Sequence, residues 1–210
     1  MSKIHLIKKS ISPFEIYLKE GYQNAIDNLI AKADDKSEED EKQLEYITNN
    51  LHTIETVLKT YEPSIAIKSI TKTIQPIEVY IIMENWCGSS AGNIPYVVKI
   101  MNTITDVKIH IVPRDENDDF MNQYLSEGKK SIPIVIGFDV NGIELFKWGS
   151  SSVAQATYAK TLQKHSIPFP DFIIAMKKWF LEFNVEAIET DFISIFNSLS
   201  SANKNNANNN

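Results

Sequence analysis

One cysteine, Cys87, and one arginine, Arg114, are all that this 210-residue chain holds of either residue type. A single thiol cannot form an internal disulfide. That excludes a disulfide-stapled secreted scaffold and makes a reducing, cytoplasmic setting the expectation. Long apolar runs are missing too: the longest, such as residues 132–138, fall far short of the roughly 20 residues a helix needs to cross a bilayer. Residues 1–18 mix lysines with polar side chains and lack the unbroken apolar stretch of an export signal. The expectation is therefore a protein without a membrane partner. A net charge of −6 with one arginine disfavours a phosphate backbone, so nucleic acid is not an expected partner either. The four histidines, His5, His52, His110 and His165, are scattered without ligand spacing, and no metal or other cofactor is expected.

What is present is a chain of ordinary apolar content, 43% hydrophobic, long enough for one packed domain and an extension. Phe14, Tyr17, Leu18, Tyr22, Ile26, Leu29 and Ile30 recur at three- and four-residue intervals, which predicts an amphipathic helix. A second helix is predicted from Ser37, with Asp40 at the capping-box distance, through Leu44, Ile47, Leu51, Ile54 and Leu58 to a stop at Pro63. The acidic run between the two reads as a solvated helix start, where negative charge is favoured.

After Pro76 the period becomes that of strands, at residues 77–83, 108–112, 134–138 and 144–148, rich in β-branched and aromatic side chains. Asn141-Gly142 joins the last two as an antiparallel hairpin, because both residues tolerate positive φ. Helices are expected at 89–102, 118–127 and 152–164, giving the order β-α-β-α-β-β and then α. Two more helices are expected beyond Pro168 and Pro170, and the asparagine-rich stretch 203–210 is expected to be disordered. The domain reading is a helical N-terminal extension (1–75), an α/β domain (76–165), C-terminal helices (166–202) and the tail.

Cys87 lies in Trp86-Cys87-Gly88-Ser89-Ser90, between a strand and a helix start. Unpaired amides at a helix start favour a thiolate, the form that attacks disulfides. The partner of a Cys-x-x-Cys pair would stand at Ser90. Any mixed disulfide on Cys87 must therefore be released by an outside sulfur.

The Trp86-Cys87-Gly88 junction, Pro95 within the following helix, Ser131-Ile132-Pro133 before a strand, and the hairpin ending at Trp148-Gly149 together resemble the thioredoxin-like family. With Arg114-Asp115-Glu116-Asn117 added, the pattern is similar to a bacterial branch of that family that carries a helical N-terminal extension. The resemblance covers roughly residues 77–165. It implies a thioredoxin-like α/β fold, a central mixed sheet flanked by helices, with helical additions at both ends.

The resemblance also implies a cis Pro133 that turns the Ile132 backbone toward the cysteine, where an extended substrate can pair with it. The competing reading is a trans proline that merely opens a strand. Catalysis is expected from Cys87, with Ser90 donating a hydrogen bond to the thiolate, and substrate contact from Trp86, Gly88, Ile132 and Pro133. Trp148 is either a groove wall or core filling. Glu84 is a base or a repulsive charge, and His110 is read as a sheet residue.

Ile81 stands where thioredoxins bury an aspartate that serves the resolving cysteine. Its absence agrees with that of the second sulfur, since a buried charge without a task is costly. Cys87-Gly88-Ser89-Ser90 is also one letter from the motif of cluster-binding monothiol glutaredoxins, but the glycine-rich stretch that grips glutathione there is missing. The functional expectation is a one-cysteine thiol-disulfide exchange protein acting on protein or low-molecular-weight thiol and disulfide substrates. The alternative is a catalytically degenerate protein-binding module on the same frame.

Overall fold

A computed structural model describes residues 2–32 and 35–207, with side chains described as far as Ser201. Phe14–Tyr17 (α1) continues through a π-helical turn, Leu18–Gln23, into Asn24–Ala31 (α2), so the expected amphipathic helix is present with a wider turn in its middle. The helix Glu38–Thr60 (α3) starts at the anticipated cap: Ser37 Oγ accepts from Asp40 N–H and the Asp40 carboxylate accepts from Ser37 N–H. Ile65–Ile70 (α4), which the periodicity did not single out, follows Pro63 and is capped by Ser64.

The sheet is built from Glu78–Met83 (β1), Lys108–Pro113 (β2), Ile134–Phe138 (β3) and Glu144–Gly149 (β4), in the order β2-β1-β3-β4. β1 runs parallel to β2 and antiparallel to β3, and β3 and β4 form the hairpin, so the sheet is mixed. Gly88–Met101 (α5) and Asp118–Met121 (α6) lie in the connections, and Val153–Lys164 (α7) and Phe169–Ala207 (α8) follow the hairpin.

Alternation along β1 sends its side chains to opposite faces. Val79, Ile81 and Met83 pack with α3, α5 and the second half of α8. Tyr80 and Ile82 pack with Phe120, Met121 and Tyr124 on the other face.

Three expectations are corrected. The helix foreseen over 118–127 stops at Met121, and the chain then turns through positive φ at Glu127 and Gly128. The two helices foreseen beyond Pro170 are one, because nothing between Phe180 and Val185 breaks the helical spacing. That helix also continues to Ala207, into the stretch expected to be disordered, whose last residues, 208–210, lie outside those described.

Before β1 the chain takes one further step that the sequence did not disclose. Ile11 exchanges two backbone hydrogen bonds of 2.8 Å with Ile111, placing the N-terminal segment along the outer edge of β2. Asn117 fixes it there. Its Oδ1 accepts from the amides of Lys8 and Lys9 (2.8 and 3.0 Å), and its Nδ2 donates to the carbonyls of Lys9 and Pro113 (2.9 and 2.7 Å).

Candidate functional site

Cys87 is the residue that caps α5. Its N–H donates to Glu84 O at 3.2 Å, closing the turn after β1, and its C=O accepts the first helical bond, from Ala91 N at 3.1 Å. No side chain caps this helix start, so the first amides of α5 lie beside the thiol without an intrahelical partner. The thiol donates to Ile132 O across a 3.8 Å gap, and the Ile132–Pro133 peptide is cis. Cysteine and proline loop are thus brought together at the same end of two neighbouring strands, β1 and β3. Cys87 keeps only 9% of its surface exposed and packs with Ile132, Ile134 and Val112.

Gly88 opens α5, and an added Cβ there would come within 3.9 Å of the Asn50 side chain from α3. Ser90 corrects the expectation made of it. Its hydroxyl is fully buried and has no hydrogen-bond partner among the described residues, and the Cys87 sulfur is turned toward Ile132 O instead. Trp86 is 40% exposed, with the Arg114 guanidinium 4.8 Å from its ring centre. Arg114 is held in turn by Asp115 at 2.8 Å.

Trp148 is core. It is 5% exposed, its indole N–H donates to Asp191 at 2.8 Å, and its ring lies 5.5 Å from that of Phe192. The groove-wall reading of Trp148 fails because α8 covers it. Gly149 does reach the proline loop: at φ +126° it brings its backbone so close to Pro133 that an added Cβ would collide with Pro133 O. Ile81 is fully buried between Ile111 and Val135.

Glu84 accepts from Asp115 N at 2.8 Å, and burial raises its carboxyl above the ordinary glutamate range despite that bond. His110 stacks on Tyr80 at 4.6 Å. Burial lowers its titration below 6.5, so its 3.8 Å approach to Glu78 is not an ion pair at neutral pH. It is a sheet residue, as its alternation suggested.

Sequence reasoning missed the part that the N-terminal extension takes in this site. Tyr17 and Tyr22 are buried, edge to face at 5.6 Å. Burial pushes both phenols far above their ordinary range. The Tyr22 hydroxyl has no hydrogen-bond partner among the described residues. Asn85, two residues before Cys87, donates its amide to Gly21 O in the π-helical turn, while Asn50 of α3 donates to Asn85 O at 2.8 Å. The one available signal was the alignment of Tyr17 and Tyr22 on the apolar face of the first helix.

Among the described residues no group of three or more His, Cys, Asp or Glu is placed to hold a metal ion, and no helix is long and apolar enough to cross a membrane.

A four-stranded mixed sheet, with a thiol at the start of the helix after its first strand and a cis-prolyl loop against that thiol, defines a thioredoxin-like α/β protein. The family described as Thioredoxin matches residues 36–166, well over half of the chain, and the chain belongs to that family. Two solved structures share the fold. One is a protein of unknown function from Pseudomonas aeruginosa, 13% identical, with a TM-score of 0.58 over 94% of this chain and 98% of that one. The other is an HIV epitope-scaffold, 12% identical, with a TM-score of 0.52 over 89% of this chain and 99% of that one. No curated protein matches the chain.

Proposed function

We propose that this thioredoxin-family protein is a one-cysteine thiol-disulfide exchange protein. The observation that carries the reading is the meeting of Cys87 Sγ, at an uncapped helix start, with the backbone of Ile132 at 3.8 Å. In the proposed cycle the Cys87 thiolate attacks one sulfur of a disulfide between a protein and a small thiol. A new S–S bond joins Cys87 to the small thiol, the old S–S bond breaks, and the protein leaves as a thiolate. A second low-molecular-weight thiolate then attacks the mixed disulfide, restores Cys87 and departs as a small-molecule disulfide.

The helix start and Ile132 O favour different states of the sulfur: the amide dipoles support the thiolate, and the carbonyl accepts from the thiol. Leaving the carbonyl is thus part of activation. Trp86 and its stacked Arg114 form the exposed rim that an incoming substrate meets, and Gly88, Ile132 and Pro133 are its proposed backbone contacts.

The small exposure of Cys87 favours a second reading, a binding module that retains the frame without turnover. Mass spectrometry of the intact chain after incubation with a protein carrying a disulfide-linked small thiol separates them. The exchange reading expects wild type to gain one small thiol while the substrate loses it, and Cys87→Ser to gain none. A wild type that accepts no thiol, yet binds a partner as well as Cys87→Ser does, establishes the module instead.

A further inference from the structure

The second half of α8 is a core helix: Ile188, Phe192 and Phe196 are fully buried. The same stripe continues backward through Val185, Leu181 and Ile174, at steps of three, four and seven residues. There it loses its cover. Leu181 is 87% exposed and Ile174 66%. The body of the domain ends near Phe180, whose ring fills the place a side chain would take at Gly92, and Asn184, which donates to Asn93 at 3.1 Å. Upstream, α8 is accompanied by α7, joined through Tyr158 stacked 6.1 Å from Trp179, and α7 itself contains no buried residue. A helical hairpin that buries so little is not stable by itself, and exposed apolar side chains aligned on one face of it mark a surface made for contact.

We propose that this stripe is the interface of a symmetric dimer in which the α8 helices of two copies lie antiparallel. The argument for a second copy is charge. Lys178 and Glu182 flank the apolar stripe on the same side, four residues apart, and are exposed. Neither belongs to the ion pairs formed among the described residues.

A two-fold axis level with Phe180 brings Lys178 of each copy beside Glu182 of the partner subunit, twice, and packs Ile174 of each copy near Val185 of the partner subunit. In an antiparallel pair, side chains on one flank meet the same flank of the other helix. The arrangement is therefore self-complementary, as an isologous interface must be. A surface built for a strongly acidic or basic partner would carry one sign along this flank. This proposal does not depend on the chemistry of Cys87.

Sedimentation velocity of the full chain over a concentration series tests it. Wild type is expected to be a dimer. Leu181→Glu, at an exposed position that leaves the fold intact by circular dichroism, is expected to weaken association by roughly a hundredfold or more, since the change enters the interface twice. Lys178→Glu weakens it less, and Lys178→Glu with Glu182→Lys restores it. A wild type that stays monomeric at all concentrations overturns the proposal and assigns the stripe to another occupant. A dimer indifferent to Leu181→Glu overturns it as well.

Discussion

Replacing Asn117 by alanine removes the clip that holds the N-terminal segment to the end of β2. Four hydrogen bonds of 2.7 to 3.0 Å disappear with the side chain, which is fully buried. A neutral hydrogen bond contributes a net of about 1 kcal/mol, and the half-buried Lys8 and Lys9 amides regain some water, so the expected loss is about 2–4 kcal/mol. That is a large part of the roughly 5–15 kcal/mol that holds a domain together.

Asn117→Asp refines the test. The carboxylate still accepts from both amides but turns a second oxygen toward the Lys9 and Pro113 carbonyls, where a donor is needed. Its folded titration must then lie above its unfolded one. Stability is full below the unfolded value and is lost as pH rises through the folded value. Urea unfolding is therefore expected to show Asn117→Asp no better than Asn117→Ala at pH 7 and partly recovered near pH 4. A loss below about 1 kcal/mol for Asn117→Ala, with an unchanged urea slope, would refute the reasoning and mean that the Ile11–Ile111 pairing alone holds the segment.

Glu84 titrates above its ordinary 4.5 because it is buried, so its contribution to stability is present below that value and lost as pH rises through the raised one. Glu84→Gln, which keeps an acceptor for Asp115 N–H, is expected to flatten this decline in urea titrations from pH 4 to 8; an unchanged profile shows that Glu84 is not its source. Gly92→Val places a branched side chain where an ideal Cβ already stands 2.6 Å from the Phe180 ring, and overpacking of this kind costs about 1–3 kcal/mol in thermal or urea unfolding. No loss means that Phe180 moves aside freely. Ser90→Cys sets a second thiol at the third helical position, which faces the capping residue. Titration after mild oxidation is expected to find no free thiol in this variant and one in wild type; two free thiols in the variant indicate that the helix holds the sulfurs apart.

The sequence alone was enough for what depends on local chemistry. The apolar strand runs of β1 and β3 and the Ser37–Asp40 box are each written in a few neighbouring residues and stand where they were placed, and the β3–β4 hairpin forms as expected, although its turn closes from Asp139 O to Gly142 N and only Gly142, not Asn141, takes positive φ. Cys87 at a helix start follows from the same local logic, since a strand run, a glycine and a helical spacing meet there. What distant segments bring to one point was not legible. Ser90 is a plausible donor by spacing, but the sulfur's direction is decided by Ile132, 45 residues away. Trp148 is a wall or a core residue according to whether α8 lies over it. Tyr17, Tyr22 and Asn117 read as ordinary face and loop residues until the N-terminal segment is laid along β2 and tied to Asn85. A hydrophobic period specifies which face of an element is buried, whereas the partner that buries it is chosen by the packing of the whole chain. Only the tertiary structure therefore determined what surrounds the thiol, and it left half of α8 with an apolar stripe that this chain does not cover.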